Sequence, residues 1–149
     1  MNLEYMDMAI KEAKKALDNN EVPVGCVIVK DKKIIGCGYN MKEKYNMVTK
    51  HAEIIAIEEA SMTLNNWRLS ECDIYITLEP CPMCASAIKQ ARISNVYCGL
   101  SSLDDNNFKI INQIFEKDKN NGSVKIFNDL SKEKVSLLMQ SFFKKQRKK

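Results

Sequence analysis

The stretch HAEIIAIEEASMTLNNWRLSECDIYITLEPCPMC, residues 51–84, is the one around which the chain is organised. It opens with His51-Ala52-Glu53 and closes with Pro80-Cys81-Pro82-Met83-Cys84. One histidine and two cysteines spaced C-x-x-C supply three ligands to a tetrahedral zinc. The fourth position is left to water, as in catalytic rather than structural sites. Zinc lowers the pKa of such a water to about 7, so a nucleophile is available at neutral pH. Glu53, two residues past the histidine, is placed to shuttle protons without binding metal.

Other chemistries use parts of this pattern. A lone C-x-x-C also serves as a redox pair or as half of a structural zinc site. A redox pair needs no histidine, and Pro80 and Pro82 are compatible with one. Structural zinc needs a fourth protein ligand, and Cys26, Cys37, Cys72 and Cys98 are available in number. Each of those four, however, sits in or beside a β-like apolar run, where a cysteine behaves as a small buried hydrophobe. His51 is the only histidine, so no second imidazole can close the site.

Between the two half-motifs, a helix is expected from the first turn at His51 to about Thr63, capped by Thr49 and burying Ile54, Ile55, Ala56 and Ala60. Ile74 to Leu78 is rich in β-formers and reads as a strand. Pro82 suits the first position of the next helix, which runs to near Arg92. Cys81 and Cys84 therefore sit at a helix N-terminus, where the dipole and free N–H groups favour thiolate. Two helix starts can thus converge on one metal.

Upstream, residues 4–18 carry Tyr5, Met8, Ala9, Ala13, Ala16 and Leu17 at helical spacing. Val22 to Val29 is apolar on both faces, as in an interior strand of a covered sheet. Ile34 to Tyr39 returns as a second strand, in which Gly36 and Gly38 indicate either close approach of ligand or backbone, or a bulge. Met41 to Lys50 reads as a polar loop. Downstream come a strand over 95–100, a helix over 106–116 with Phe108, Ile111, Ile114 and Phe115, and a short strand over 124–127. A final helix capped by Ser131 carries the stripe Val135, Leu138, Met139 and Phe142. Strands alternating with helices, one hairpin excepted, make an α/β fold on a covered sheet.

Composition agrees with one ordinary globular domain spanning residues 1–149, with 45% apolar and 28% charged residues. The start, Met1-Asn2-Leu3-Glu4, lacks the basic and apolar regions of a secretory signal. The apolar run Val22–Val29 is far too short to span a bilayer, so no membrane association is expected. Six cysteines without an export signal point to thiols in a reducing, cytoplasmic compartment. The net charge of +4 is modest, but Lys144 to Lys149 holds five positive charges and no acid, directly after Phe142-Phe143. Aromatic and basic residues together offer base stacking with phosphate contacts. A solvated terminus is the plainer explanation of the same charges. Phe142 continues the core stripe, which leaves Phe143 to face a substrate alongside Lys144 and Arg147.

The pairing of H-x-E with P-C-x-x-C is the signature of zinc deaminases that act on nucleobases. With Glu21-Val22-Pro23-Val24-Gly25, Gly38-Tyr39-Asn40, Asn66-Trp67-Arg68-Leu69, Ala91-Arg92-Ile93 and Phe142-Phe143, the chain resembles the bacterial tRNA-specific adenosine deaminases of the cytidine deaminase superfamily over nearly its whole length. The resemblance implies a three-layer α/β/α sandwich on a mixed five-stranded sheet, a homodimer, and one Zn2+ per chain on His51, Cys81 and Cys84. The implied reaction converts adenosine to inosine in a tRNA anticodon stem-loop, by attack of water at C6 with Glu53 moving the protons. It also implies that Asn40 touches the flipped nucleoside and that Val24 lines the base pocket; by residue type alone they read as a turn residue and a core valine. A deaminase of free guanine, cytosine or deoxycytidylate would share the same zinc site. Four segments depart from the family pattern. Met47-Val48-Thr49-Lys50 stands for Asp-Pro-Thr-Ala, Ser86 for glycine, Ser101-Ser102-Leu103-Asp104 for the Asp-Pro-Lys-x-Gly loop, and Asn121-Gly122 for Asn-His.

Overall fold

The computed structural model describes residues 1–102 and 104–147. Helix α1 (Leu3–Asp18) starts at Asn2, whose side chain accepts from the Glu4 N–H and satisfies one open donor of the first turn. The sheet is built from β1 (Gly25–Lys30), β2 (Lys33–Tyr39), β3 (Asp73–Leu78), β4 (Asn95–Leu100) and β5 (Lys125–Phe127), in the order β2-β1-β3-β4-β5. β1 pairs antiparallel with β2 and β3, whereas β3, β4 and β5 run parallel. The sheet is therefore mixed and five-stranded, and β1 is interior to it.

Successive side chains of a strand point to opposite faces, and here both faces are covered. Cys26, Ile28, Ile74, Ile76, Val96 and Cys98 lie against α3 (Ala52–Leu64), α4 (Pro82–Gln90) and α5 (Asp105–Ile114). Val27, Val29, Tyr75 and Tyr97 lie against α1 and α6 (Lys132–Arg147). The result is the three-layer α/β/α arrangement.

Gly36 and Gly38 are explained by backbone approach. A Cβ on Gly36 would lie 2.5 Å from Ala56 O, and one on Gly38 would lie 2.5 Å from Ala52 O. Helix α3 thus rests directly on β2, which fixes the height of His51 and Glu53 above the sheet. The bulge lies beside them, at a register shift between Ile28 and Val29. Gly38→Ala is expected to force α3 outward at about 1–3 kcal/mol of overpacking, lowering Tm by roughly 3–10 °C in a thermal melt. An unchanged Tm would show that the helix yields freely.

Several expectations are corrected. The 41–50 segment is not all loop: Lys42–Tyr45 forms a short helix, α2. Its start is held by the buried Glu21, whose carboxylate accepts from Glu43 N at 3.0 Å and Lys44 N at 2.8 Å. Thr49 does not cap α3; His51 itself is the N-cap, in extended conformation and with no side-chain cap bond, so its ring stays free for the site. Ile54 and Ile55 are half-buried, because Ala52, Ala56 and Ala60 form the face against the sheet. Phe108 is exposed, and α5 buries Ile111 instead. The first strand begins at Gly25, since Val24 N turns back to Val22 O at 2.8 Å and leaves the ladder. Helix α4 ends at Gln90, with Arg92 in left-handed conformation two residues later. The remaining ends shift by a residue or two.

Candidate active site

His51 and Cys81 are the N-cap residues of α3 and α4, both with extended backbone. Pro82 follows at the first position of α4, where its missing N–H costs nothing. Cys84 stands one turn further in, fully buried. The fold brings these three together. The Sγ of Cys81 lies 3.7 Å and the Sγ of Cys84 lies 3.5 Å from His51 Nδ1. Zinc held at usual Zn–S and Zn–N bond lengths in a tetrahedron needs ligand atoms roughly 3.6–3.8 Å apart. The donor set fits zinc without rearrangement, and it is the one such His/Cys/Asp/Glu group among the described residues. Cys26, Cys72 and Cys98 are buried elsewhere and Cys37 is half-buried, so no fourth protein ligand joins.

The two sulfurs are not equivalent before metal binds. The Cys84 thiol donates to Cys81 and, with N–H groups of the α4 start and the nearby His51, pulls the Cys81 pKa down to about 5. Cys84 itself is held well above the thiol range by that same hydrogen bond and by burial. Zinc must displace the remaining proton, which couples metal affinity to pH.

Glu53 occupies the second position of α3 and is 3% exposed. Burial pushes its carboxyl up to about 7, the neighbouring Cys81 adds to the rise, and the local backbone N–H and His51 oppose it. A dication at the three ligands works in the opposing direction. In the metal-free fold this carboxyl exchanges protons near neutral pH.

Glu53 and His51 line a cavity of about 280 Å³ together with Val24, Asn40, Leu78 and Cys81. That volume is at the small end of ligand sites and suits one planar base. Val24 is half-buried in its wall. Asn40 follows β2 and is also a turn residue: Oδ1 accepts from Lys42 N at 3.2 Å and Nδ2 donates to Val22 O at 3.4 Å. Beyond Leu78, a groove of about 370 Å³ is lined by Leu100, Ser101, Ser102, Met139 and Phe143. Phe142 is buried and Phe143 is 48% exposed. Lys144 and Arg147 are exposed on the last turns of α6, while Lys148 and Lys149 lie outside the described residues. A larger cavity, about 740 Å³, lies past the C-terminal ends of α3 and α4 beside Trp67, Lys89 and Arg92. It holds neither metal ligands nor Glu53, so size alone points away from the chemistry.

Sequence reading passed over Glu21 and Glu79. Both are acids set inside otherwise apolar motifs, at Glu21-Val22-Pro23 and Leu78-Glu79-Pro80. A buried acid there implies backbone or amide donors to hold it, which is the signal that would have found them.

Comparison with known proteins agrees with this geometry. The sequence profile of the cytidine and deoxycytidylate deaminase zinc-binding region matches residues 1–100. The chain is 41% identical over 143 residues to the tRNA-specific adenosine deaminase of Streptococcus pyogenes serotype M1, covering 96% of this chain and 84% of that protein. The chain belongs to the tRNA-specific adenosine deaminase family. A second member, from Bacillus subtilis, is 35% identical over 97% of this chain and 90% of its own. Among solved structures, one from a study of A-to-I editing by tRNA:A34 deaminases at the wobble position superposes with a TM-score of 0.84 at 33% identity, covering 92% of this chain and 99% of that one. The guanine deaminase of Nitrosomonas europaea shares the fold at a TM-score of 0.77 but only 16% identity, covering 95% and 84%. Zinc is the cofactor that this family profile carries, and His51, Cys81 and Cys84 lie close enough together to hold it.

Proposed function

We propose that this protein is a single-domain, zinc-dependent hydrolase that converts adenosine to inosine at the wobble position of a tRNA anticodon loop. The observation that carries the reading is the buried Glu53 beside the His51–Cys81–Cys84 ligand set, at one base-sized cavity. When bound, zinc supplies the Lewis acidity that makes water nucleophilic at neutral pH. Glu53 would take a proton from that water and pass it to N1 of the adenine as C6 is attacked, then take the proton of the new C6 hydroxyl and deliver it to the amine, which leaves as ammonia while the C6 carbonyl forms. Val24 and Asn40 hold the base from the opposite wall. The target must leave its stack to enter, which favours an unpaired loop nucleotide over a duplex. Product analysis decides the substrate. Inosine is expected in an anticodon stem-loop, with no product from free adenine, guanine or cytosine. Conversion of a free base alone would overturn the tRNA assignment in favour of a free-nucleobase deaminase.

Binding of RNA is assigned to the end of α6, with Phe143 stacking and Lys144 and Arg147 meeting phosphates. If about three of the five terminal charges do so, truncation before Lys144 flattens the log–log salt dependence of stem-loop affinity by roughly 2. An unchanged slope would remove α6 from the interface. The same reading includes a homodimer in the cytoplasm. Support for the dimer comes from the outer side of α3 and its approach, where Tyr45, Met47, Val48 and Met62 are exposed. Exposed apolar side chains gathered on one face mark a contact surface, and light scattering at twice the chain mass of 17.1 kDa is the check. No helix among the described residues is long and apolar enough to cross a membrane.

A further inference from the structure

Three segments distant in sequence meet on one buried carboxylate beside the catalytic pocket. Glu79 is 5% exposed, and both of its oxygens are engaged. Asn107 Nδ2 donates to Oε2 at 2.7 Å, and Asn128 Nδ2 donates to Oε1 at 3.0 Å. The same Asn107 Nδ2 also reaches Pro80 O at 3.1 Å, one residue before Cys81. Asn107 stands in the first turn of α5 and Asn128 directly after β5. The next residue, Asp129, adopts φ 61° and accepts from Ser101 N at 2.8 Å and Ser101 Oγ at 3.3 Å.

Among the described residues no lysine or arginine pairs with Glu79. Two neutral carboxamides satisfy it, and such a network is a costly way to gain stability but a good way to fix geometry. What it fixes is the divide between two cavities. Leu78 and Glu79 line the catalytic pocket, while Leu78, Ser101 and Ser102 line the groove that holds Phe143. Ser101 and Asn107 bracket the segment in which the chain departs from its family's usual loop.

We propose that Glu79, Asn107 and Asn128 are positioning residues that clasp the first turn of α5 and the end of β5 against the zinc loop. They thereby set how the nucleotides flanking the deaminated base are held. The proposal rests on the tRNA reading above. It is tested by steady-state kinetics of the zinc-loaded protein on an anticodon stem-loop, with metal content measured in parallel. Losing one hydrogen bond to a charged group corresponds to about tenfold. Asn107→Ala and Asn128→Ala are each expected to raise KM about tenfold, to change kcat less than threefold, and to keep one zinc per chain. The pair Glu79→Gln with Asn107→Asp restores a donor and an acceptor across the contact with polarity reversed. It is expected to recover part of the KM rise of Glu79→Gln, the contact to Pro80 O staying lost, with kcat and zinc content level across the set, a split that a merely structural role would not produce. Unchanged KM in both alanine variants with an active wild type overturns the clasp alone. So does a fall in kcat together with loss of zinc, which would assign the network to the metal site. A wild-type protein that leaves the stem-loop adenosine unconverted refutes the substrate reading and this proposal together.

Discussion

Glu53→Gln is expected to keep zinc and fold while turnover falls by at least about 10²–10⁴-fold. The substitution preserves the shape of a side chain that is almost fully buried and is not one of the three donors. What it removes is the proton acceptor; the other carboxylate of the pocket wall, Glu79, has both oxygens engaged by Asn107 and Asn128. Metal analysis and stem-loop turnover together decide the matter: near-normal turnover would move the proton shuttle elsewhere. The same variant carries a second signature. Burial raises the Glu53 carboxyl from the ordinary range to about 7 in the metal-free fold. A raised carboxyl favours folding below the unfolded pKa, and that contribution is lost as pH rises through the folded one. At pH 8 wild type must ionise a buried acid, and the glutamine variant need not. The metal-free variant is therefore expected to melt above metal-free wild type at pH 8. The gap should close as pH falls below 7 toward the ordinary carboxylate range. A gap independent of pH would mean that the carboxyl is not desolvated.

The contrast between Glu53 and Glu79 shows what a sequence reveals and what it withholds. Glu53 was legible because its partners are local or patterned: His51 is two residues away, and C-x-x-C with Pro82 announces a helix start. Short apolar, β-forming runs between turn signals likewise placed the five strands within a residue or two, except where Val24 turns out of the first. Glu79 acts only through Asn107 and Asn128, 28 and 49 residues away, and no spacing rule joins them. Glu21 is similar, since the helix α2 that it nucleates has only four residues and little propensity of its own. Gly36 and Gly38 were legible as a close approach of ligand or backbone or as a bulge, and which of these holds is a tertiary fact. The N-cap role of His51 was hidden for a physical reason. Thr49 is the better capping residue by type, yet the backbone stays extended through His51 and enters the helix only at Ala52.

Removal of one sulfur has the other large effect. Cys84→Ala is expected to leave zinc near zero after dialysis and to abolish turnover, whereas Cys98→Ala keeps one zinc per chain. Both cysteines are fully buried, so loss of packing is alike in the two variants, about 1 kcal/mol for a small core truncation. They differ in chemistry. Cys98 is a thiol raised by burial among core residues of β4, with no metal ligand beside it. Cys84 faces His51 Nδ1 at 3.5 Å and shares its proton with Cys81. With Cys84 gone, His51 and Cys81 remain as a two-ligand site, too few to hold zinc against water. The stabilisation that bound metal lends the folded state goes with it. Cys84→Ala should therefore melt roughly 2–4 °C below chelator-treated wild type, the packing loss alone, and should no longer respond to added zinc. Cys98→Ala should show a modest, chelator-sensitive melt instead. Full zinc in Cys84→Ala would refute the ligand assignment, and loss of zinc in Cys98→Ala would mean that the two helix starts are held by the core on the sheet's inner face as much as by the metal.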